Sequence, residues 1–320
     1  MSRQAAGRTY VPGMTAPRRY EQPSTGHYRC MTRLIDPARA LERLWTGGLW
    51  GEGPVWIPGT ESVRWSDIHR NLILEFDSAS GRTRIHREDV EFTNGRTLDR
   101  EGRVVQCSHG RRCVEYEIDG EPQTIVDHWG AYRLNSPNDI VVASDGTIWF
   151  TDPPYGITLP EEGHPGDMEY GGCWVFRYDP ASAALTPVIT DMSRPNGLAF
   201  SPDEKLLYVS DTVDEQRGLI RAYEADVVRG SADNGRDFVT VVPGCADGFR
   251  VDEEGRVWTS SLDSVQVFSP DGEIQLKVPV PEKIANLCFG GVDGHDLYIT
   301  ASSSLYRIRT LTTAAQRPTT

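Results

Sequence analysis

The sequence predicts an all-β chain folded as a six-bladed β-propeller of four-stranded blades. Three observations lead there. One strand type recurs six times, tight-turn pairs separate short β-branched and aromatic runs, and an oxygen-bearing side chain stands at one register position before each recurrence.

The recurring strand appears as Val63-Arg-Trp-Ser-Asp67, Arg103-Val-Val-Gln106, Ile148-Trp-Phe-Thr-Asp152, Leu207-Tyr-Val-Ser-Asp211, Val257-Trp-Thr-Ser260 and Leu297-Tyr-Ile-Thr300. Turns such as Ser144-Asp-Gly146 and Pro202-Asp-Glu204 stand just before several copies. A spacing of about 40 to 60 residues suits four-stranded blades joined by loops of unequal length. Blades packed face to face also hide edges that so many short strands would otherwise expose. Only residues 36–44 (DPARALERL) carry a helical pattern. Residues 41–50 are the candidate for a strand closing the last blade. The expected layout is an N-terminal arm over 1–40, partly flexible, a propeller with the site over 41–310, and a flexible tail over 311–320. The arm reads as a flexible tail or a contact to a neighbouring subunit, so a homodimer is an open expectation.

Bulk composition narrows the partners. The formal charge of -13 sets the surface against nucleic acid and anionic membrane. No run approaches the roughly 20 apolar residues of a membrane span, and the first residues lack the apolar core of a signal peptide, so a cytoplasmic protein is expected. The six cysteines (Cys30, Cys107, Cys113, Cys173, Cys245, Cys288) form no Cys-x-x-Cys pair and are expected as free thiols.

Stepping back about 11 to 13 residues from each recurring strand reaches Glu52, Asn94, Asn138, Asn196, Asp247 and Asn286, each at the start of the preceding strand. In a propeller the innermost strands run in one direction beside the central channel, so equivalent positions meet at one height. Two carboxylates and four carboxamides at one mouth suit a hard divalent cation with six to eight oxygen ligands. Calcium is the expected ion, with Zn2+, Mg2+ and Mn2+ as alternatives; the absence of His and Cys from the set speaks against zinc as the preferred one. Asn-Gly and Asp-Gly also favour turns, which would explain any one position alone. The segments around Asn94 and Asn286 match the repeat least well.

Glu52-Gly-Pro-Val-Trp56, Ser136-Pro-Asn-Asp-Ile-Val-Val142, Ile148-Trp-Phe-Thr-Asp-Pro-Pro-Tyr-Gly156, Arg194-Pro-Asn-Gly-Leu-Ala-Phe-Ser-Pro-Asp203, Asp247-Gly-Phe-Arg-Val-Asp252 and Ala285-Asn-Leu-Cys-Phe-Gly290 together resemble the family of gluconolactonase, senescence marker protein 30 and luciferin-regenerating enzyme, in particular its microbial gluconolactonase-like branch. The resemblance spans about residues 50 to 309. It implies a propeller enzyme with one catalytic divalent metal held by Glu52, Asn196 and Asp247. It also implies Asn138 as a metal ligand or substrate contact and Asp247 as the acid/base. The family's animal sugar lactonases carry an Arg two residues before the Asn matching Asn138; here Ser136 stands there, and the nearest Arg is Arg133.

Further substrate contacts are expected from Asn94, His109, Arg133 and Tyr155, each placed by its loop near the mouth. Trp56, Trp149 and Trp258 read as blade core, and Arg111-Arg112 as a solvated loop. The expected function is metal-dependent hydrolysis of a small lactone or ester, by metal-activated water with Asp247 or by direct attack of its carboxylate. The same metal propeller acting on another ester, a phosphotriester or a ring-opening substrate, and a non-catalytic binding propeller, are the alternatives.

Overall fold

The structure is a computed structural model and describes residues 34–212 and 218–315. The N-terminal arm up to residue 33, Cys30, and the tail beyond residue 315 lie outside the described residues.

Six four-stranded antiparallel sheets follow one another along the chain. Blade 1 opens with Gly51–Ile57 and Ser62–Asp67, blade 2 with Thr93–Leu98 and Val104–Ser108, blade 3 with Ile140–Val142 and Ile148–Asp152. Blade 4 opens with Pro195–Phe200 and Leu206–Asp211, blade 5 with Phe249–Val251 and Val257–Thr259, blade 6 with Ile284–Gly290 and Asp296–Ala301. The first strand of each blade packs against the first strands of its neighbours, and the sixth returns to the first. The repeated motif is thus the second strand of every blade.

Burial explains the repeat. Trp149, Tyr208, Trp258 and Tyr298 occupy the same place in their second strands and are almost fully buried; in blade 1 Arg64 stands there, and the buried Trp65, one position on, faces blade 6. Several reach the next blade: Trp149 lies edge-on to Phe200 at 5.3 Å, Trp258 to Phe289 at 5.6 Å, and Tyr298 stacks on Trp56 at 5.8 Å. Both faces of each sheet are covered, so the core forms as six apolar clusters, one between each pair of neighbouring blades. The smallest, Val55, Leu98 and Val104, lies between blades 1 and 2. Charge fills the rest of that interface: Arg64 bridges Glu75 at 2.7 Å and Glu117 at 2.9 Å, and His86 joins Glu117. Arg64 thus stands at the place of the recurring aromatic in blade 1, facing a polar partner, while blade 2 carries Val105 there, packed against blade 3.

Residues 36–44 are not helical. They form a turn, in which Arg39 N–H donates to the Asp36 carbonyl at 3.0 Å, and then enter the strand Glu42–Thr46. That strand pairs with Ser304–Arg309 and completes blade 6 from the other end of the chain, as residues 41–50 suggested. A helix of nine residues has little stability of its own, whereas the closing strand satisfies a whole sheet edge and ties the ring shut. Trp45 packs edge-on to Trp65 at 5.6 Å within this closure. Trp45→Ala is therefore expected to cost about 2 kcal/mol, less than for a fully buried Trp because the ring is half-exposed. A melting temperature equal to that of the parent chain would contradict it.

Residues 310–315 continue past the last strand and remain paired. Ala315 N–H donates to the Val251 carbonyl at 2.9 Å, and Glu253 N–H to Thr313 at 2.9 Å. Cys107, Cys113, Cys173, Cys245 and Cys288 are buried and form no disulfide among the described residues. Among the described residues no helix is long and apolar enough to cross a membrane.

Candidate active site at the channel mouth

The second strands build the site as well as the core. The carboxylate ending three of them accepts two backbone N–H groups from the loop that leads into the inner strand. Asp67 takes Leu49 and Trp50, Asp152 takes Asn135 (2.7 Å) and Ser136 (2.8 Å), and Asp211 takes Ser193 and Arg194 at 3.0 Å each. In blade 5 Ser260 plays this part, its Oγ accepting Asp247 N–H at 2.8 Å. The recurring Ser-Asp and Thr-Asp pairs thus fix the position of the residue that follows each loop.

Neighbouring loops are then bonded to one another. Gly95 N–H donates to the Asn138 carbonyl at 2.8 Å, Gly197 N–H to Asp247 at 3.2 Å, and Gly248 N–H to Ala285 at 2.8 Å. This contact explains the glycine after four of the six ring residues, Glu52, Asn94, Asn196 and Asp247. A Cβ on Gly197 would stand 2.3 Å from the Asp247 carbonyl oxygen, and one on Gly53 would stand 2.1 Å from that of Asn94. Gly197 has no positive φ, so the need there is for space. The Asn-Gly pair is a contact between blades and not a turn.

Glu52, Asn94, Asn138, Asn196, Asp247 and Tyr155 line one cavity at the mouth, together with Trp50, Ile68, Leu159, Glu162, Arg194, Thr212 and Lys283. Glu52 is 4% exposed; Asn286 donates its amide to Glu52 Oε2 at 3.3 Å, and Gly53 N–H does so at 3.1 Å. Asn286 supports Glu52 from behind. Burial, and then the charges of Asp247 and Asp139, raise Glu52 well above the usual carboxylate range. Burial likewise raises Asp247, against the pull of Lys283. Two carboxylates of like charge, the buried Glu52 and the half-buried Asp247, line the same cavity.

His109 sits behind the ring, fully buried. Its Nδ1 lies 3.1 Å from the Glu162 carbonyl oxygen, to which only an N–H can donate, so Nε2 is the acceptor. Into Nε2 donate the amides of Asn94 (3.2 Å) and Asn138 (3.4 Å). Burial holds the ring at about 4, hence neutral. Asn196 directs its amide N–H to Thr212 Oγ1 at 3.5 Å. Three carboxamides therefore use their nitrogens on the protein and keep their oxygens for the cavity. His109 is fully buried and does not itself line the cavity.

The donor set fits a hard cation: among the described residues two carboxylates have no salt-bridge partner and three amide oxygens accept no hydrogen bond. Among the described residues no three His, Cys, Asp or Glu side chains cluster as a metal site; the mouth relies on amides for its remaining oxygens.

Other expected positions fall elsewhere. Arg133 is exposed, its N–H donating to Glu169 Oε2 at 2.7 Å and its guanidinium to the Arg111 carbonyl at 3.3 Å, away from the mouth. Arg111 and Arg112 are not a solvated pair: Arg112 is 7% exposed and bonds the carbonyls of Leu134 and Asp167. Tyr155 does line the mouth, bonded to Thr212. Trp50, Glu162, Arg194, Thr212 and Lys283 were not found from sequence, although Trp50 and Arg194 both stand two residues before a ring member. A second cavity at the other end of the channel has mostly apolar walls, Val55, Leu98, Phe200 and Val251 among them; its Arg250 reaches Asp139 at 3.4 Å. It brings no carboxylates together.

Residues 50–303 match the family model described as the SMP-30/gluconolactonase/LRE-like region. The chain belongs to this family. It is 32% identical over 302 residues to a gluconolactonase of Zymomonas mobilis, covering 87% of this chain and 83% of that protein. A solved gluconolactonase from Xanthomonas campestris superposes with a TM-score of 0.80 at 34% identity, covering 92% of this chain and all of the other. The calcium-binding protein regucalcin of Agrobacterium tumefaciens shares the fold, with a TM-score of 0.69 at 18% identity over 90% of this chain and 98% of that one. The family places this protein among lactone-hydrolysing propellers.

Proposed function

We propose that the protein opens a small lactone at this mouth, using a divalent cation, calcium in first place, held by Glu52, Asn138, Asn196 and Asp247, with Asp247 as the acid/base. The observation that carries the reading is the meeting of two carboxylates, the buried Glu52 of blade 1 and the half-buried Asp247 of blade 5, in one cavity. When bound, the ion supplies Lewis-acid polarisation of the carbonyl and a more acidic water.

The residues supply the rest. Asp247 receives the proton of the attacking water and returns one to the ring oxygen as the C–O bond breaks, so that the hydroxy acid leaves and the carboxylate is restored. Glu52, held by Gly53 N–H and Asn286, keeps the second negative charge in place. His109 keeps the Asn94 and Asn138 oxygens turned to the cavity. Ile68, Leu159 and Trp50 form the apolar part of the wall and limit water around the ester.

The test is pH-stat hydrolysis of aldono-, aryl- and homoserine lactones, with EDTA and with calcium restored. At least one lactone should turn over, with rates falling about 100-fold in EDTA and returning on calcium addition. No turnover of any of them would overturn the lactonase reading. Turnover indifferent to EDTA would overturn the metal's part.

A further inference from the structure

Resting on the lactonase reading, we infer that the lactone taken here carries a second, anionic oxyacid group away from its ring, recognised by Arg194 and Lys283 at the rim. Both side chains line the mouth and flank Asp247, one from the loop entering blade 4 and the other from the loop entering blade 6.

Each is held as a binding group would be. Arg194 N–H is fixed by Asp211 at 3.0 Å, and its carbonyl accepts Thr212 N–H at 3.1 Å. Its guanidinium stands 5.9 Å over the Tyr155 ring, and Tyr155 is in turn bonded to Thr212. The Lys283 carbonyl accepts Ser302 Oγ at 3.2 Å, while the adjoining Glu282 carboxylate is bound by Ser303, Ser304 and Tyr306. Lys283 Nζ lies 5.0 Å over the Trp50 ring. Aromatic faces attract these cations without neutralising them. Arg194 is exposed and Lys283 half-buried, and neither forms a salt bridge among the described residues.

Charge balance gives the direction. A divalent ion would offset Glu52 and Asp247, leaving two cations against the single carboxylate of Glu162 and a rim that is positive overall. On a chain of formal charge -13 such a rim is a local exception, and it would draw an anion into a surface that otherwise repels one. The planar fork of Arg194 suits a carboxylate or phosphate.

The measurement compares kcat/KM for glucono-1,5-lactone with that of its 6-phosphate and of the corresponding glucaric acid lactone, in the parent chain and in Arg194→Gln and Lys283→Gln. The anionic lactones should be favoured about tenfold, mainly through KM, and 0.5 M salt should erode the preference. Either substitution should bring the anionic-to-neutral ratio towards one; general damage to the site would lower both rates and leave the ratio alone. Binding of 6-phosphogluconate, followed calorimetrically on the calcium-loaded protein, should weaken about tenfold in each variant. The phosphate and carboxylate arms separate the two sources of charge. Equal rates on neutral and charged lactones, or a ratio indifferent to both substitutions, overturns the inference while leaving the lactonase reading standing.

Discussion

Asp247→Asn should lower kcat/KM about a thousandfold on whichever lactone the protein turns over best, with no loss of thermal stability in the metal-free protein. The size follows from removing a proton acceptor and a ligand charge together, each worth orders of magnitude in rate. The sign of the stability change follows from the structure. The charge of Asp247 raises the proton affinity of the buried Glu52, so neutralising Asp247 relieves repulsion. Backbone anchors survive, because Ser260 Oγ binds the N–H and Gly197 the carbonyl of residue 247, not its side chain. Steady-state kinetics and a melting curve with EDTA check both parts. A variant within about threefold of the parent rate would remove Asp247 from the chemistry, and an unfolded one would show that the carboxylate holds the ring.

Gly197→Ala should be nearly as damaging to the rate and far more damaging to the fold. The new methyl would fall 2.3 Å from the Asp247 carbonyl oxygen and 3.0 Å from Gly248 Cα, and both are backbone atoms of the next blade. Blades 4 and 5 must separate at the mouth, moving Asn196 and Asp247 apart. Overpacking of this kind costs about 3 kcal/mol, and a displacement of about 1 Å at a reacting group costs about 100-fold in rate. Gly59→Ala is the control, since nothing lies within 4 Å of a Cβ there; it should stay within about 0.5 kcal/mol of the parent. Equal melting temperatures for the two variants would show that the blades can spread without cost.

Both predictions concern positions that the repeat marked out. Stepping back from the recurring strand led to Glu52, Asn94, Asn138, Asn196 and Asp247, and the cavity holds all five. Asn286, reached in the same way, turned out to brace Glu52. The one helix expected, over 36–44, failed because pairing with Ser304–Arg309 outweighs a short local pattern. Arg133, Arg111 and Arg112 were misplaced for a related reason. Loop arginines carry no periodicity, so only contacts such as Arg112 to the Leu134 carbonyl reveal where they point. The same blindness hid Arg194 and Lys283.

The sequence by itself determined the blade count, the ring of oxygen donors and the family, because all three are written as a repeat with fixed register, and register alone sets height and facing in a propeller. Only the tertiary structure decided that the glycines serve blade contact, that the amides of Asn94 and Asn138 meet His109, and that Arg194 and Lys283 line the mouth with no salt bridge among the described residues. Those facts depend on distances between residues tens to hundreds of positions apart, and such distances exist only once the chain has closed on itself.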